Sequence, residues 1–225
     1  MAMFAAEAPI VPPPRPAAPV LRRFSPIAPR ALLIGASTGG PQALAMVLSD
    51  ASEWLRQIPI VVVLHMPPDF ARVVACHIAA VSKMPARTAI NGEKLLPGTI
   101  FFAPDSQHIR VMRAGTSLVL VHYDGPPQNF CKPSVDELFR SAAKSLKQET
   151  LGLVLTGMGR DGFLGAQAIA DAGGSLIVQD EATSTVWGMP GAVARGGLAS
   201  AILPLSGISS AIGGLLVAGQ RRVAS

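Results

Sequence analysis

Residues 58–64 read Ile-Pro-Ile-Val-Val-Val-Leu. A β-branched run with no polar position does not fit a half-solvated strand, in which side chains alternate between core and water. It reads as a strand buried on both faces, and such strands belong to parallel sheets sandwiched between helices. Ala31–Gly35 reads as a second, shorter buried strand. Leu151–Thr156, Ser175–Gln179 and Ala201–Pro204 read as three more. Between them lie helical patterns: Pro41–Leu55 with Pro in its first turn, Pro68–Lys83 with Asp69 in its first turn, Ser134–Gln148, Phe163–Ala172 stopped by Gly173-Gly174, Gly191–Arg195 and Gly207–Leu216. Strands alternating with helices predict an α/β fold with a mostly parallel sheet covered on both faces.

One stretch breaks the alternation. From Asn91 to Pro127 the chain offers short β-rich pieces, Thr99–Ala103, His108–Arg113 and Ser117–His122, separated by turn signals such as Ala114-Gly115. They predict an antiparallel hairpin inserted into the α/β pattern. Just beyond it, Ser134 with Glu137 three residues later has the form of a capping box.

The chain has 225 residues, 49% of them hydrophobic, enough to bury a sizeable core. Residues 1–29, built around PIVPPPRPAAPV, are too rich in Pro and Ala to order themselves by burial. They are expected to be a disordered or extended tail or linker remnant, with one folded domain over 30–225. No apolar run is long enough to cross a membrane, and the prolines near the start argue against a signal peptide. With two cysteines, Cys76 and Cys131, the expectation is a reduced, cytoplasmic protein. The net charge of +5 invites a nucleic-acid reading. Four arginines of the first thirty residues, Arg15, Arg22, Arg23 and Arg30, supply most of it against one acid, Glu7. No basic stripe with interleaved aromatics follows, so nucleic acid is not an expected partner.

In open α/β sheets functional groups gather at the carboxyl ends of the strands. Three strands here end in chemically capable residues: Ser37 after the first, His65 after the second, and Asp161 in the loop Gly157-Met158-Gly159-Arg160-Asp161-Gly162. A serine, a histidine and an aspartate at one sheet edge are the parts of a nucleophilic triad. Ser37 lies in Gly35-x-Ser37-x-Gly39, a spacing that lets a sharp strand-to-helix turn expose the hydroxyl. The N–H of Thr38 then becomes a candidate oxyanion donor. His65 is placed to take the serine proton, and Asp161 to hold the imidazole in the right tautomer. Blander readings stand beside these. The glycines also suit close strand–helix packing or a phosphate cradle, although no lysine follows as in a P-loop. Asp161 also suits the cap of the helix at Phe163.

The remaining groups are weaker. His77 falls mid-helix, His108 at a hairpin start, and His122 near a strand end. Cys131 sits in an irregular stretch with no partner implied by sequence. No metal-ligand spacing appears, so neither metal nor cofactor is expected.

Several long motifs in one order, IGASTGGPQAL, LHMPPDF, NGEKLLPGTIFFAPDSQHIRV, KPSVDELFRSAA, GLVLTGMGRDGFLGAQAIADAGG and QDEATSTVWGMPGAV, resemble the catalytic domain of CheB-type chemotaxis methylesterases over nearly all of residues 30–216. The resemblance implies a doubly wound sheet with a hairpin near the site, and hydrolysis of γ-glutamyl methyl esters on the cytoplasmic helices of chemoreceptors. It implies release of methanol, and in some members glutamine deamidation. It maps the family triad onto Ser37, His65 and Asp161, and suggests Met158 as an oxyanion-side residue through its backbone. Two departures qualify it. Members usually carry an N-terminal phosphorylatable receiver domain, where this chain has the proline-rich segment, so phosphorylation control within the chain is not expected. The loop Asn129-Phe130-Cys131-Lys132-Pro133 differs from the Arg/His-rich version of enteric members, which puts receptor recognition in question. A catalytically weak module that binds receptors, or a phosphate-binding regulator, are the alternatives.

Overall fold

A computed structural model describes residues 19–50, 52–67 and 70–223. The strands are β1 (Ala31–Ala36), β2 (Ile60–Leu64), β3 (Ala86–Thr88), β4 (Ile100–Phe102), β5 (His108–Ala114), β6 (Ser117–Tyr123), β7 (Thr150–Val154), β8 (Ser175–Gln179) and β9 (Ala201–Leu203). The helices are α1 (Gly40–Asp50), α2 (Ser52–Leu55), α3 (Phe70–Ser82), α4 (Val135–Leu146), α5 (Phe163–Asp171), α6 (Met189–Arg195) and α7 (Leu205–Val223). Seven strands form one sheet in the order β3-β4-β2-β1-β7-β8-β9, with every neighbouring pair parallel. The antiparallel pair β5-β6 stands apart from it.

Every residue of β1, β2, β7 and β8 is buried, as a sheet covered on both faces requires. Leu32, Ile34, Ile60 and Val62 pack with Leu44 and Val47 of α1, Ile78 of α3 and Ile208 and Ile212 of α7. The alternate residues Leu33, Val61 and Val63 pack on the opposite face with Phe139 of α4, Ile169 of α5, Val193 of α6, and Ile109 and Leu120 of the hairpin. Each fully buried side chain of this kind contributes about 1.5–3 kcal/mol, so the two layers fix the sheet between them.

Two sequence expectations change. The sequence places Thr99–Ala103 in the antiparallel insertion, yet its centre forms β4, a parallel strand between β2 and β3 of the main sheet. Its residues Ile100, Phe101 and Phe102 are all buried, which demands cover on both faces. The short β3 beside it was not anticipated, because three half-buried residues carry too little periodicity to register. The first turn expected for α3, Pro68 and Asp69, lies outside the described residues, as do residues 1–18. Of the rest of the expected tail, residues 19–29 contain neither helix nor strand and lie along the domain. There Arg22 N–H donates to Ala199 O (2.9 Å) and Ser25 N–H to Ser175 Oγ (2.9 Å).

The topology sets the site. From β1 the chain runs outward to β2 and to β3 at the edge, steps back to β4 between them, then crosses to β7, β8 and β9 on the other side. The winding reverses between β1 and β7, and a crevice opens outside the carboxyl ends of such strands.

Candidate active site

Ser37 follows β1 at that reversal. Its N–H donates to Thr156 O beyond β7 (3.0 Å), while His65 N–H, just past β2, donates to Ala36 O (3.0 Å). The backbone ladder therefore sets Ser37 between the ends of β2 and β7. The turn closes when Gly40 N–H donates to Ser37 O (2.7 Å). Gly39 takes φ +79, and a Cβ there would lie 2.3 Å from Thr185 Oγ1, so the turn needs glycine for both conformation and space. Gly157 is the second necessity. A Cβ on it would lie 2.9 Å from Ser37 Cβ and 3.0 Å from Ser37 N. The loop after β7 thus rests directly against the serine, and it carries Met158, whose side chain is exposed. Thr38 is exposed, and no partner among the described residues takes its N–H.

Asp161 is only 2% exposed and is held by four donors. Ser134 Oγ (2.8 Å), Asp136 N–H (3.1 Å) and Gly162 N–H (2.9 Å) donate to Oδ1, and Val135 N–H donates to Oδ2 (2.8 Å). It therefore caps α4, not the α5 that follows it in sequence. The capping box expected from Ser134 and Glu137 does not form. The Ser134 hydroxyl is spent on Asp161, and Glu137 pairs with Arg110 and Gln128 of the hairpin side. A carboxylate at a helix N-terminus meets unpaired N–H groups and the positive end of the helix dipole. Burial pushes the Asp161 carboxyl up, but His65 and these donors outweigh it, and the group is held below the usual carboxylate range. Beside it Asp136 is raised, chiefly by burial and further by the Asp161 charge, although Gly165 N–H opposes this.

His65 Nε2 lies 2.8 Å from Asp161 Oδ2. This close contact becomes an ion pair whenever the imidazole is protonated. Burial pulls the imidazole pKa down; Asp161 and Cys131 more than offset this and raise it to about 9. The other ring nitrogen, Nδ1, faces Cys131 Sγ at 3.8 Å. No hydrogen bond joins Ser37 Oγ to His65 among the described residues. Such bonds are often long in ligand-free sites and tighten on substrate.

All three residues singled out thus lie beyond the carboxyl ends of adjacent strands, with His65 and Asp161 in contact. Cys131 is the addition: the sequence implied no partner for it, and the fold gives it His65. His77 is exposed on α3, and His108 is a structural group whose Nδ1 accepts from Ser134 N–H (3.1 Å). His65, Cys131 and Asp161 bring ligand-capable atoms within 4.8 Å of one another. With the Asp161 oxygens already engaged, two open donors remain, fewer than the three protein ligands of a catalytic zinc site.

A family model for the CheB methylesterase matches residues 32–212. A protein-glutamate methylesterase/protein-glutamine glutaminase of Rhodopseudomonas palustris is 51% identical over 192 residues, 85% of this chain and 49% of that protein. One from Bradyrhizobium diazoefficiens is 46% identical over 229 residues, 96% of this chain and 57% of its own length. The chain thus spans about half the length of these curated relatives. The crystal structure of the Thermotoga maritima CheB methylesterase catalytic domain superposes with a TM-score of 0.81 at 33% identity, over 84% of this chain and all of that one.

Proposed function

The chain belongs to the CheB methylesterase family, and from that premise we propose that it is a serine esterase hydrolysing γ-glutamyl methyl esters on the cytoplasmic helices of chemoreceptors. Ser37 Oγ attacks the ester carbonyl while neutral His65 takes its proton. The N–H groups of Thr38 and Met158 hold the developing oxyanion. Collapse expels methoxide, which leaves as methanol with the proton from His65. Water, deprotonated by His65, then cleaves the acyl-serine and frees the glutamate. Asp161 stabilises the imidazolium formed in each half. The same acyl-enzyme forms from glutamine with ammonia as leaving group, in keeping with the double name of the relatives. Each turnover restores a negative charge to the substrate helix, and no cofactor takes part. Among the described residues no helix is long and apolar enough to cross a membrane, which suits action on the cytoplasmic part of a receptor.

The observation that supports this most is the convergence of Ser37, packed against Gly157, with His65 and the buried Asp161 at the point where the sheet reverses. Methanol release from a methylated receptor fragment tests it. Ser37→Ala should lower kcat by several orders of magnitude, and an unchanged rate would remove Ser37 as nucleophile. One observation favours a second reading, in which the thiol attacks: Cys131 Sγ lies 3.8 Å from His65 Nδ1. That reading requires Cys131→Ala to abolish turnover and Ser37→Ala to spare it.

A further inference from the structure

Immediately before the residue that contacts the imidazole, the chain makes a tight turn that presents a bare aromatic ring. Gln128 and Cys131 pair across it, with Gln128 N–H donating to Cys131 O (3.0 Å) and Cys131 N–H to Gln128 O (2.8 Å). The two residues between them, Asn129 (φ 49) and Phe130 (φ 65), are both left-handed. This is the two-residue hairpin turn that favours Asn followed by Gly. Asn129 fits its position. Phe130 occupies the place where glycine is preferred, in a conformation that L-residues with large side chains avoid. The residue is 103% exposed, so no packing among the described residues compensates for the backbone strain.

The turn is nevertheless held firmly from below. Asn129 Nδ2 donates to Asp136 Oδ2 (2.8 Å), Gln128 Nε2 donates to Glu137 Oε2 (2.6 Å), and Lys132 pairs with Asp124. Asp136 is itself tied to α5 through Gly165 N–H (2.7 Å). On its inner side the same turn places Cys131 Sγ against His65. A strained, rigidly anchored, solvent-facing aromatic beside the reacting groups has the properties of a binding anchor: large apolar area with little conformational freedom left to lose.

We propose that Phe130 is a specificity-determining residue that docks the protein substrate, seating in an apolar hollow beside the methylated glutamate. The proposal rests on the esterase reading above. Phe130 is a convex knob, not a pocket wall, so its complement is a concave surface. A folded protein offers one; a small ester does not. Burial of one phenyl ring corresponds to about a ten- to hundredfold gain in affinity.

The test compares Phe130→Gly, which supplies the residue the turn prefers, with Phe130→Tyr, which keeps the ring. Two substrates are used: a methylated receptor fragment and the small ester p-nitrophenyl acetate. Binding of the fragment is also measured directly, with each variant placed in a Ser37→Ala background. Phe130→Gly should weaken fragment binding and raise KM for it at least tenfold, with kcat and small-ester hydrolysis within twofold of the parent and thermal stability equal or higher. Phe130→Tyr should restore binding. Unchanged fragment affinity in Phe130→Gly overturns the proposal, as does absence of any fragment binding by the parent. A Phe130-dependent dimer in sedimentation, with fragment affinity unaltered, would assign the knob to a second copy and also overturn it. Phe130-dependent binding without methanol release would instead remove the esterase reading and leave the docking role standing.

Discussion

Asp161→Asn removes one charge and keeps the shape, and the structure gives its consequence for His65 a size. In the parent the imidazole is half-buried, which by itself lowers its pKa, yet Asp161 at 2.8 Å and Cys131 carry it from 6.5 to about 9. At about 1.4 kcal/mol per pH unit, that rise corresponds to about 3 kcal/mol of preference for the charged ring. Without the carboxylate, burial dominates and the pKa should fall toward or below 6.5. An amide also has one acceptor where the carboxylate has two. Val135 N–H or the Oδ1 donors therefore lose their partner, and the fold should lose about 3–5 kcal/mol, as when one member of a buried pair is removed. The assay is NMR titration of the His65 Cε1–H, assigned with His65→Gln, in parent and variant. The sign of the stability effect follows from linkage. A histidine whose folded pKa is raised contributes fully below its unfolded value of about 6.5 and loses that contribution as pH climbs through about 9. The stability gap between parent and variant in urea should therefore narrow by up to about 3 kcal/mol between pH 6 and pH 10. A parent His65 that titrates near 6.5, or a variant that still titrates near 9, would refute the argument.

Two further outcomes are expected. Because Cys131 helps to raise the His65 pKa, Cys131→Ala should move the rising limb of the kcat/KM pH profile below its parent position near 9 and increase activity at pH 7; a limb that stays in place would contradict this. In Gly157→Ala the added methyl meets Ser37 Cβ at 2.9 Å and Met189 Sδ at 2.4 Å. Displacing the serine should lower esterase kcat about a hundredfold, with a stability loss of about 1–3 kcal/mol, and parent-like kinetics in the purified variant would show that the contact is not needed.

Much of the framework was legible in the sequence, because burial leaves a local signature. A strand covered on both faces tends to be apolar throughout, and Ala31–Ala36 and Ile60–Leu64 carry that mark. Strand ends follow from it, and the chemical residues immediately beyond them, Ser37 and His65, could be named without coordinates. Asp161 could be named too, but not what it holds. Its sequence neighbour is α5, while three of its four hydrogen bonds come from Ser134, Val135 and Asp136 at the start of α4. A cap joined across that distance leaves no periodic trace, since it depends on how two helices pack over one sheet face. For the same reason Ser134 and Glu137 suggested a capping box that tertiary partners displaced.

What the sequence determined by itself was the alternation of the central strands with helices, and hence which residues stand at the sheet's carboxyl edge. The tertiary structure alone decided that Ile100–Phe102 enters the parallel sheet, that the imidazole turns Nε2 to Asp161 and Nδ1 to Cys131, and that Phe130 is held out in the open. Periodicity records whether a side chain meets core or water. It does not record which distant group it meets, because that choice is made only when separate elements pack and their polar groups compete for the same partners.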